Sequence, residues 1–400
     1  MIVCIAGKNR IAIEATSYLL DKYKSYTVKV CLNKTDDGID AWQPSLRYFC
    51  LKERIDIISL EEAYEIENGI FISLEFDRLV KVEKFKHNRI YNIHFSLLPA
   101  YKGMFTSIFP IRNGEHQSGV TLHCIDNGID TGDIIDNRAF VLNNDINSRE
   151  LYELYLDNSI ELFKANVDNL LNNKINFTKQ PSNGASYYSK LELDFKDLKV
   201  NLNKTAQEIH NQVRAYAFRD YQLPVVFGFE IFRSKILEQA SEGKPGTIVF
   251  QDAYKIIVNT IDYNIELSID QLDKLIIAGE TGDIELYKEL IQNDYPVRTR
   301  TSKGWDLLII ACYNRQSLLV SLLLDDGWNI NTCNYKGTTA AMYAMTAASM
   351  ANDLTVLQVI MERKPDCNLT DNSGKTIFEY AAQYKNESVI NYLNEAEKLS

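Results

Sequence analysis

The first 190 residues alternate short apolar runs with segments of helical periodicity, and that alternation most constrains what this chain can fold into. It opens with MIVCIAG, passes through the loop KNR and continues as IAIEATSYLL, which reads as strand, turn and helix. Further strand candidates recur at TVKVCLN, IDIISL, GIFISLEF, YNIHF and GVTLHCI. Strands interleaved with helices wind into a sheet with right-handed crossovers, so a Rossmann-like wound α/β sheet is expected. Residues 148–171 place Leu151, Leu154, Tyr155, Ile160, Phe163 and Val167 near helical spacing and should form a packed closing helix. The first domain is expected to span residues 1–190.

A small α+β, antiparallel middle domain is expected at 191–268. Thr205 with Glu208 makes a capping box for a helix carrying Ile209, Val213 and Tyr216. VVFGFEIF, GTIVF and YKIIVNTI follow as strand candidates separated by turns. From 269 to 400 the chain repeats itself: Gly304, Gly337 and Gly374 hold the same place in SKGWDLLIIA, YKGTTAAMYA and NSGKTIFEYA, at separations of 33 and 37 residues. Each phrase precedes a second apolar helix, and a degenerate leading copy is read at LDKLIIAGETGDIELYKELIQND. This period resembles the ankyrin repeat, although the TPLH-like tetrapeptide is poorly kept. An all-α repeat domain is therefore expected, stable only as a stack of several copies.

A chain of 400 residues is long enough for two or three cores. Its net charge of -11 opposes binding to a phosphate backbone, so nucleic acid is not an expected partner. Seven scattered cysteines without CxxC pairs fit a reducing compartment as free thiols, and no metal site is expected. No basic leader precedes the first apolar run and no stretch reaches bilayer-spanning length, so a cytoplasmic location without a membrane span is expected.

The chemistry concentrates in NIHFSLLPAYKG, from Asn92 to Gly103, and GIDTGDI, from Gly128 to Ile134. Alternate residues of a strand share a face, so Asn92 and His94 should project together, an amide donor beside a titratable imidazole. Pro99 and Gly103 end that strand at its carboxyl end, where ligands of open α/β sheets bind. Asp130 arrives on a second loop and could orient the imidazole. Each residue alone also has a structural reading, as a satisfied core histidine or a turn aspartate.

Taken together, the phrases resemble the formyltransferases that use N10-formyltetrahydrofolate, whose motifs are NxHxSLLPxYxG and an Asp 36 residues beyond the His. Asn92, His94, Ser96 to Pro99, Tyr101, Gly103 and Asp130 match at that separation. The resemblance covers about residues 1–190 and continues weakly at NQVRAYAF. It implies that Asn92 donates to the formyl oxygen, His94 acts as base and Asp130 supports proton handling. It further implies N10-formyltetrahydrofolate as co-substrate. SLEFDRLVK resembles the pterin-contacting loop of the sugar N-formyltransferases, which carries Leu74, Glu75, Phe76, Ile125 and Asp126 over as cofactor-binding residues. Asn9, Arg10, Lys102, Tyr187, Tyr188 and Lys190, with Lys8, lie near predicted loop ends and are candidates for the substrate side.

A sugar N-formyltransferase domain followed by ankyrin repeats resembles the enzymes that act on dTDP-3-amino-3,6-dideoxy-D-glucose for bacterial O-antigen and lipopolysaccharide synthesis. No residue in the sequence selects a 3-amino over a 4-amino sugar. The repeats are expected to provide a protein-partner surface or a homodimer contact. Trp305, expected to be an exposed aromatic just after a turn glycine, needs a ligand, a partner or a neighbouring domain to cover it, so a second nucleotide-sugar or partner site is expected there, extended by Lys303 and Tyr335. Two other functions are weighed: an ankyrin-based scaffold with a folate sensor, and a formyltetrahydrofolate hydrolase.

Overall fold

The computed structural model describes residues 1–195 and 198–399. It divides into two compact units, residues 1–39 with 44–269, and residues 270–400 with Asp40–Gln43. The first unit opens with β1 (Ile2–Gly7), α1 (Asn9–Lys22), β2 (Thr27–Leu32), α2 (Leu46–Glu53), β3 (Asp56–Ile57), α3 (Leu60–Tyr64), β4 (Gly69–Leu74) and β5 (Ile90–His94). There follow β6 (Lys102–Gly103), α4 (Phe109–Arg112), β7 (Gln117–Cys124), β8 (Ile134–Val141) and α5 (Ser148–Leu171). The main sheet has the order β3-β2-β1-β4-β5-β7-β8. Its first five strands are parallel, while β7 runs antiparallel to both β5 and β8. The sheet is thus mixed, because the chain returns beside β5 through a short loop and helix rather than a full crossover.

Period-two alternation assigns the faces. Val3, Ile5, Ile70, Ile72, Tyr91 and Ile93 pack with α1 and α5, whereas Cys4, Ala6, Phe71 and Ile90 pack with α3 on the opposite face. Asn92 and His94 share the parity of Ile90. The strand order reverses between β1 and β4, so the loops after those strands splay apart and leave a crevice at their carboxyl ends. At that point the strands approach closely: a Cβ on Gly7 would lie 1.9 Å from the Leu74 carbonyl oxygen.

β9 (Tyr187–Tyr188) pairs with β6, and α6 (Ala206–Tyr216) begins at the Thr205–Glu208 capping box. The helix covers a five-stranded antiparallel sheet through Ile209 and Val213. That sheet comprises β10 (Val225–Val226), β11 (Phe229–Ala240), β12 (Ile248–Gln251), β13 (Lys255–Val258) and β14 (Tyr263–Ile269) in the order β10-β11-β14-β13-β12. Phe227 and Gly228, both at positive φ, make the two-residue turn between β10 and β11.

The second unit is built of helix pairs: α7 (Leu272–Thr281) with α8 (Ile284–Gln292), α9 (Leu307–Tyr313) with α10 (Ser317–Asp325), α11 (Ala340–Ala351) with α12 (Thr355–Glu362), and α13 (Ile377–Tyr384) with α14 (Glu387–Leu399). Asp306, Thr339 and Thr376, each two residues past its turn glycine, cap the first helix of their pairs. The tetrapeptide is degenerate in letters but keeps this capping oxygen.

Gly7→Ala should destabilise the first unit by about 1–3 kcal/mol, because an added methyl meets backbone rather than a yielding side chain. Urea unfolding measures this, and an unchanged midpoint would refute the close approach of β1 and β4.

Candidate active site

A cavity of about 870 Å³ lies in the first unit at the carboxyl ends of the parallel strands. Lys8 follows β1, Asn33 follows β2, Glu75 to Val80 follow β4, and Asn92 to Phe95 close β5 around it. The antiparallel register places His123 directly opposite Asn92. His123 Nδ1 lies 2.7 Å from the Cys124 carbonyl oxygen, which can only accept, so the neutral ring carries its proton there. Its Nε2 is then a lone pair, and Asn92 Nδ2–H donates to it at 3.1 Å. Burial pushes His123 down to about 4, opposed by the Asp130 carboxylate and reinforced by His94, so it is neutral at physiological pH. A neutral acceptor fixes which end of the Asn92 amide is nitrogen and leaves the second N–H for another partner.

His94 is oriented from the other side. Its Nε2–H donates to the Tyr101 carbonyl oxygen at 2.8 Å, so the basic nitrogen is Nδ1. That atom faces Asp130 Oδ2 at 3.5 Å, while Asp130 Oδ1 lies 3.7 Å from His123 Nε2. The Gly103 N–H donates to Asp130 Oδ2 at 2.8 Å, and Gln180 donates to the carbonyls of Asp130 and Gly132, pinning the loop. Tyr101 and Asp130 both adopt positive φ, a backbone cost that concentrates at this site.

The cavity gathers several sequence-derived candidates and leaves others out. Asn92, His94, Asp130, Glu75, Phe76, Ile125, Asp126, Tyr187 and Lys190 line it, as does Lys8. Leu74 is fully buried beneath it. Expected on the substrate side, Arg10 instead pairs with Glu153 at 3.0 Å and Asp157 at 2.8 Å. Asn9 donates to Tyr152 and Glu75. Lys102 sits on β6 outside the lining, and Tyr188 is stacked between Phe109 and Tyr101. Trp305, expected to be exposed, is half-buried against Tyr313 and Tyr343, because those helix residues turn their rings onto it. Tyr335 packs over Gly304, and Lys303 is exposed.

His123, Tyr152 and the Tyr101 carbonyl escaped the sequence reading. His123 lies 29 residues from His94 with no motif spacing between them, and only the β5–β7 register brings it to Asn92. Among the described residues no group of three or more His, Cys, Asp or Glu could hold a metal ion, and no helix is long and apolar enough to cross a membrane.

This fold, with an amide, an imidazole and a carboxylate gathered at the end of a wound sheet, is that of a one-carbon transferase. The chain belongs to the formyltransferase family. The Formyl transferase pattern matches residues 75–165, the Formyl transferase C-terminal domain matches 193–280, and ankyrin repeats match 275–347 and 323–381. An N-formyltransferase from Helicobacter canadensis, solved with folinic acid and dTDP-3-aminofucose, is 44% identical, with 68% of this chain and 100% of that one covered and a TM-score of 0.63. A sugar 3N-formyl transferase, WlaRD, solved with dTDP and 5-N-formyl-THF, is 42% identical, with coverages of 67% and 97% and the same TM-score of 0.63. A methionyl-tRNA formyltransferase of Clostridium beijerinckii is 29% identical, covering 54% of this chain and 69% of that protein.

The buried histidine has a consequence for acid stability. Between pH 6.5 and about 4 the unfolded chain protonates His123 while the folded chain does not. Its contribution is therefore complete above pH 6.5 and lost as pH falls toward 4. His123→Gln should flatten the fall of stability across that window in urea unfolding; parallel curves would contradict the neutral assignment.

Proposed function

We propose that this formyltransferase moves the formyl group of N10-formyltetrahydrofolate to the amine of a dTDP-linked 3-amino sugar, dTDP-3-amino-3,6-dideoxy-D-glucose, in a cytoplasmic step of O-antigen synthesis. The observation that carries the reading is the site geometry: a free Asn92 N–H, the His94 Nδ1 lone pair and the Asp130 carboxylate meet at one cavity. Two relatives above 40% identity, one solved with dTDP-3-aminofucose and the other a sugar 3N-formyl transferase, support the 3-amino position. A net charge of -11 favours a small anionic sugar nucleotide met by a few local cations over a tRNA surface.

The cavity suits folate. Its volume lies in the range of ligand pockets, and Phe76, Val80 and Ile125 give it an apolar wall for a planar ring beside the polar Asp126. Bound there, the folate supplies an activated formyl carbon. Asn92 is held to donate its free N–H to the formyl oxygen as that oxygen gains charge, a contribution of about 3 kcal/mol for a positioned donor. His94 Nδ1 accepts the proton that the amine sheds on attack, and Asp130 at 3.5 Å stabilises the resulting imidazolium. The Tyr101 carbonyl keeps Nε2 engaged, so Nδ1 is the nitrogen that cycles its proton, returning it to the departing folate nitrogen.

Incubation with N10-formyltetrahydrofolate and dTDP-linked 3-amino and 4-amino sugars should add a single formyl mass to the 3-amino sugar. His94→Gln should slow this by about 10²- to 10⁴-fold. Formate release without a formylated sugar would replace the reading with a hydrolase.

A further inference from the structure

The formyl-transfer scheme leaves one proton unassigned. An amino sugar arrives mostly as an ammonium and becomes an amide, so its nitrogen loses two protons, whereas His94 handles one. The cavity is lined by a further, half-buried carboxyl, Glu75, that the scheme does not use. Glu75 directly follows β4, whose Leu74 pairs with Ile93, and it lines the same cavity as His94. Alternation would send its side chain to the face of Ser73. A left-handed backbone, φ 59°, instead turns it toward α5, where Tyr152 O–H donates to its oxygens at 2.7 and 2.8 Å. Asn9 reaches Oε2 at 3.4 Å, and Asn33 holds its carbonyl at 2.8 Å. A non-glycine residue held there at a backbone cost, with two side chains fixing its carboxyl in the cavity wall, is an arrangement built for a ligand.

We propose that Glu75 is the residue that receives the acceptor's ammonium group and takes its first proton, an inference that rests on the amino-sugar reading above. An ammonium N–H bond breaks as a Glu75 O–H bond forms, leaving a lone pair on nitrogen. That pair attacks the formyl carbon, and the carbonyl π pair moves to the oxygen facing Asn92. The second proton passes from nitrogen to His94 Nδ1 and on to the folate nitrogen as its bond to carbon breaks. The Glu75 proton leaves to water, so one proton is released per turnover. Burial raises the affinity of this carboxyl for a proton, while Lys8 and the hydrogen bonds from Tyr152 and Asn9 oppose that rise. The other charged groups on its own loop, Asp77 and Arg78, are engaged with the Lys34 N–H and the Leu32 carbonyl.

The test measures formylation of dTDP-3-amino-3,6-dideoxy-D-glucose from pH 6 to 9.5 by wild type, Glu75→Gln and Tyr152→Phe, with 5-formyltetrahydrofolate binding by calorimetry. Glu75→Gln should lower kcat/KM for the sugar about 100-fold at pH 7. The deficit should shrink to a few-fold once the amine deprotonates in solution, with folate affinity within about two-fold of wild type. Tyr152→Phe, which removes a donor to the carboxylate, should move the acidic limb of the profile to higher pH; this variant decides the matter if Glu75→Gln fails to fold. Unchanged sugar kinetics, a loss equal at every pH, an unmoved acidic limb in Tyr152→Phe, or a tenfold loss of folate affinity would each overturn the role of Glu75. If the wild-type enzyme formylates no amino sugar, the amino-sugar reading itself fails and this proposal with it.

Discussion

The hydrogen bond from the Asn92 amide to the neutral His123 ring is the interaction on which the site depends. It exists because β7 runs antiparallel to β5 in a sheet whose first five strands are parallel, which sets residue against residue across the join. An asparagine amide rotates easily and offers either a donor or an acceptor. Burial keeps His123 neutral, the Cys124 carbonyl fixes its proton on Nδ1, and the amide is left one orientation that satisfies both. The donor proposed for the formyl oxygen is therefore preorganised before any ligand arrives, which is what makes such a group useful in a transition state.

A second set of constraints places the imidazole proposed as the base. His94 is the last residue of β5, and the loop beyond it doubles back so that the Tyr101 carbonyl meets Nε2. That loop is tied down by β6–β9 pairing, by the Ser186 hydroxyl on the Tyr101 N–H, and by the aromatic stack of Tyr101, Tyr188 and Phe109. The segment that forms part of the cavity wall thus also supports the imidazole, so the two share the same backbone.

Much of this was legible in the sequence because it is local. The strand at Asn92–His94 follows from alternation, α5 from its apolar stripe, the α6 start from a capping box, and the repeats from turn glycines that recur after 33 and 37 residues. What escaped depends on long-range pairing. The reversal of β7, the partnership of His123 with Asn92 and the turning of Glu75 toward Tyr152 are set by register and by one left-handed residue, which no local pattern announces. Arg10, near the start of α1 beside the predicted site, is paired with carboxylates on α5, which no local pattern announces either. Trp305 found tyrosines on neighbouring helices.

The central claim is that Asn92 acts as an oriented donor, and a substitution that changes hydrogen-bonding sense at nearly constant shape tests it most directly. Asn92→Asp replaces the donor with a carboxylate facing the same lone pair. Single-turnover formyl transfer with saturating folate and amino sugar should fall by about 10²- to 10³-fold, as for loss of an oxyanion donor, with 5-formyltetrahydrofolate still bound. Transfer at close to the wild-type rate would contradict the account, since the formyl oxygen would then be stabilised by some other group.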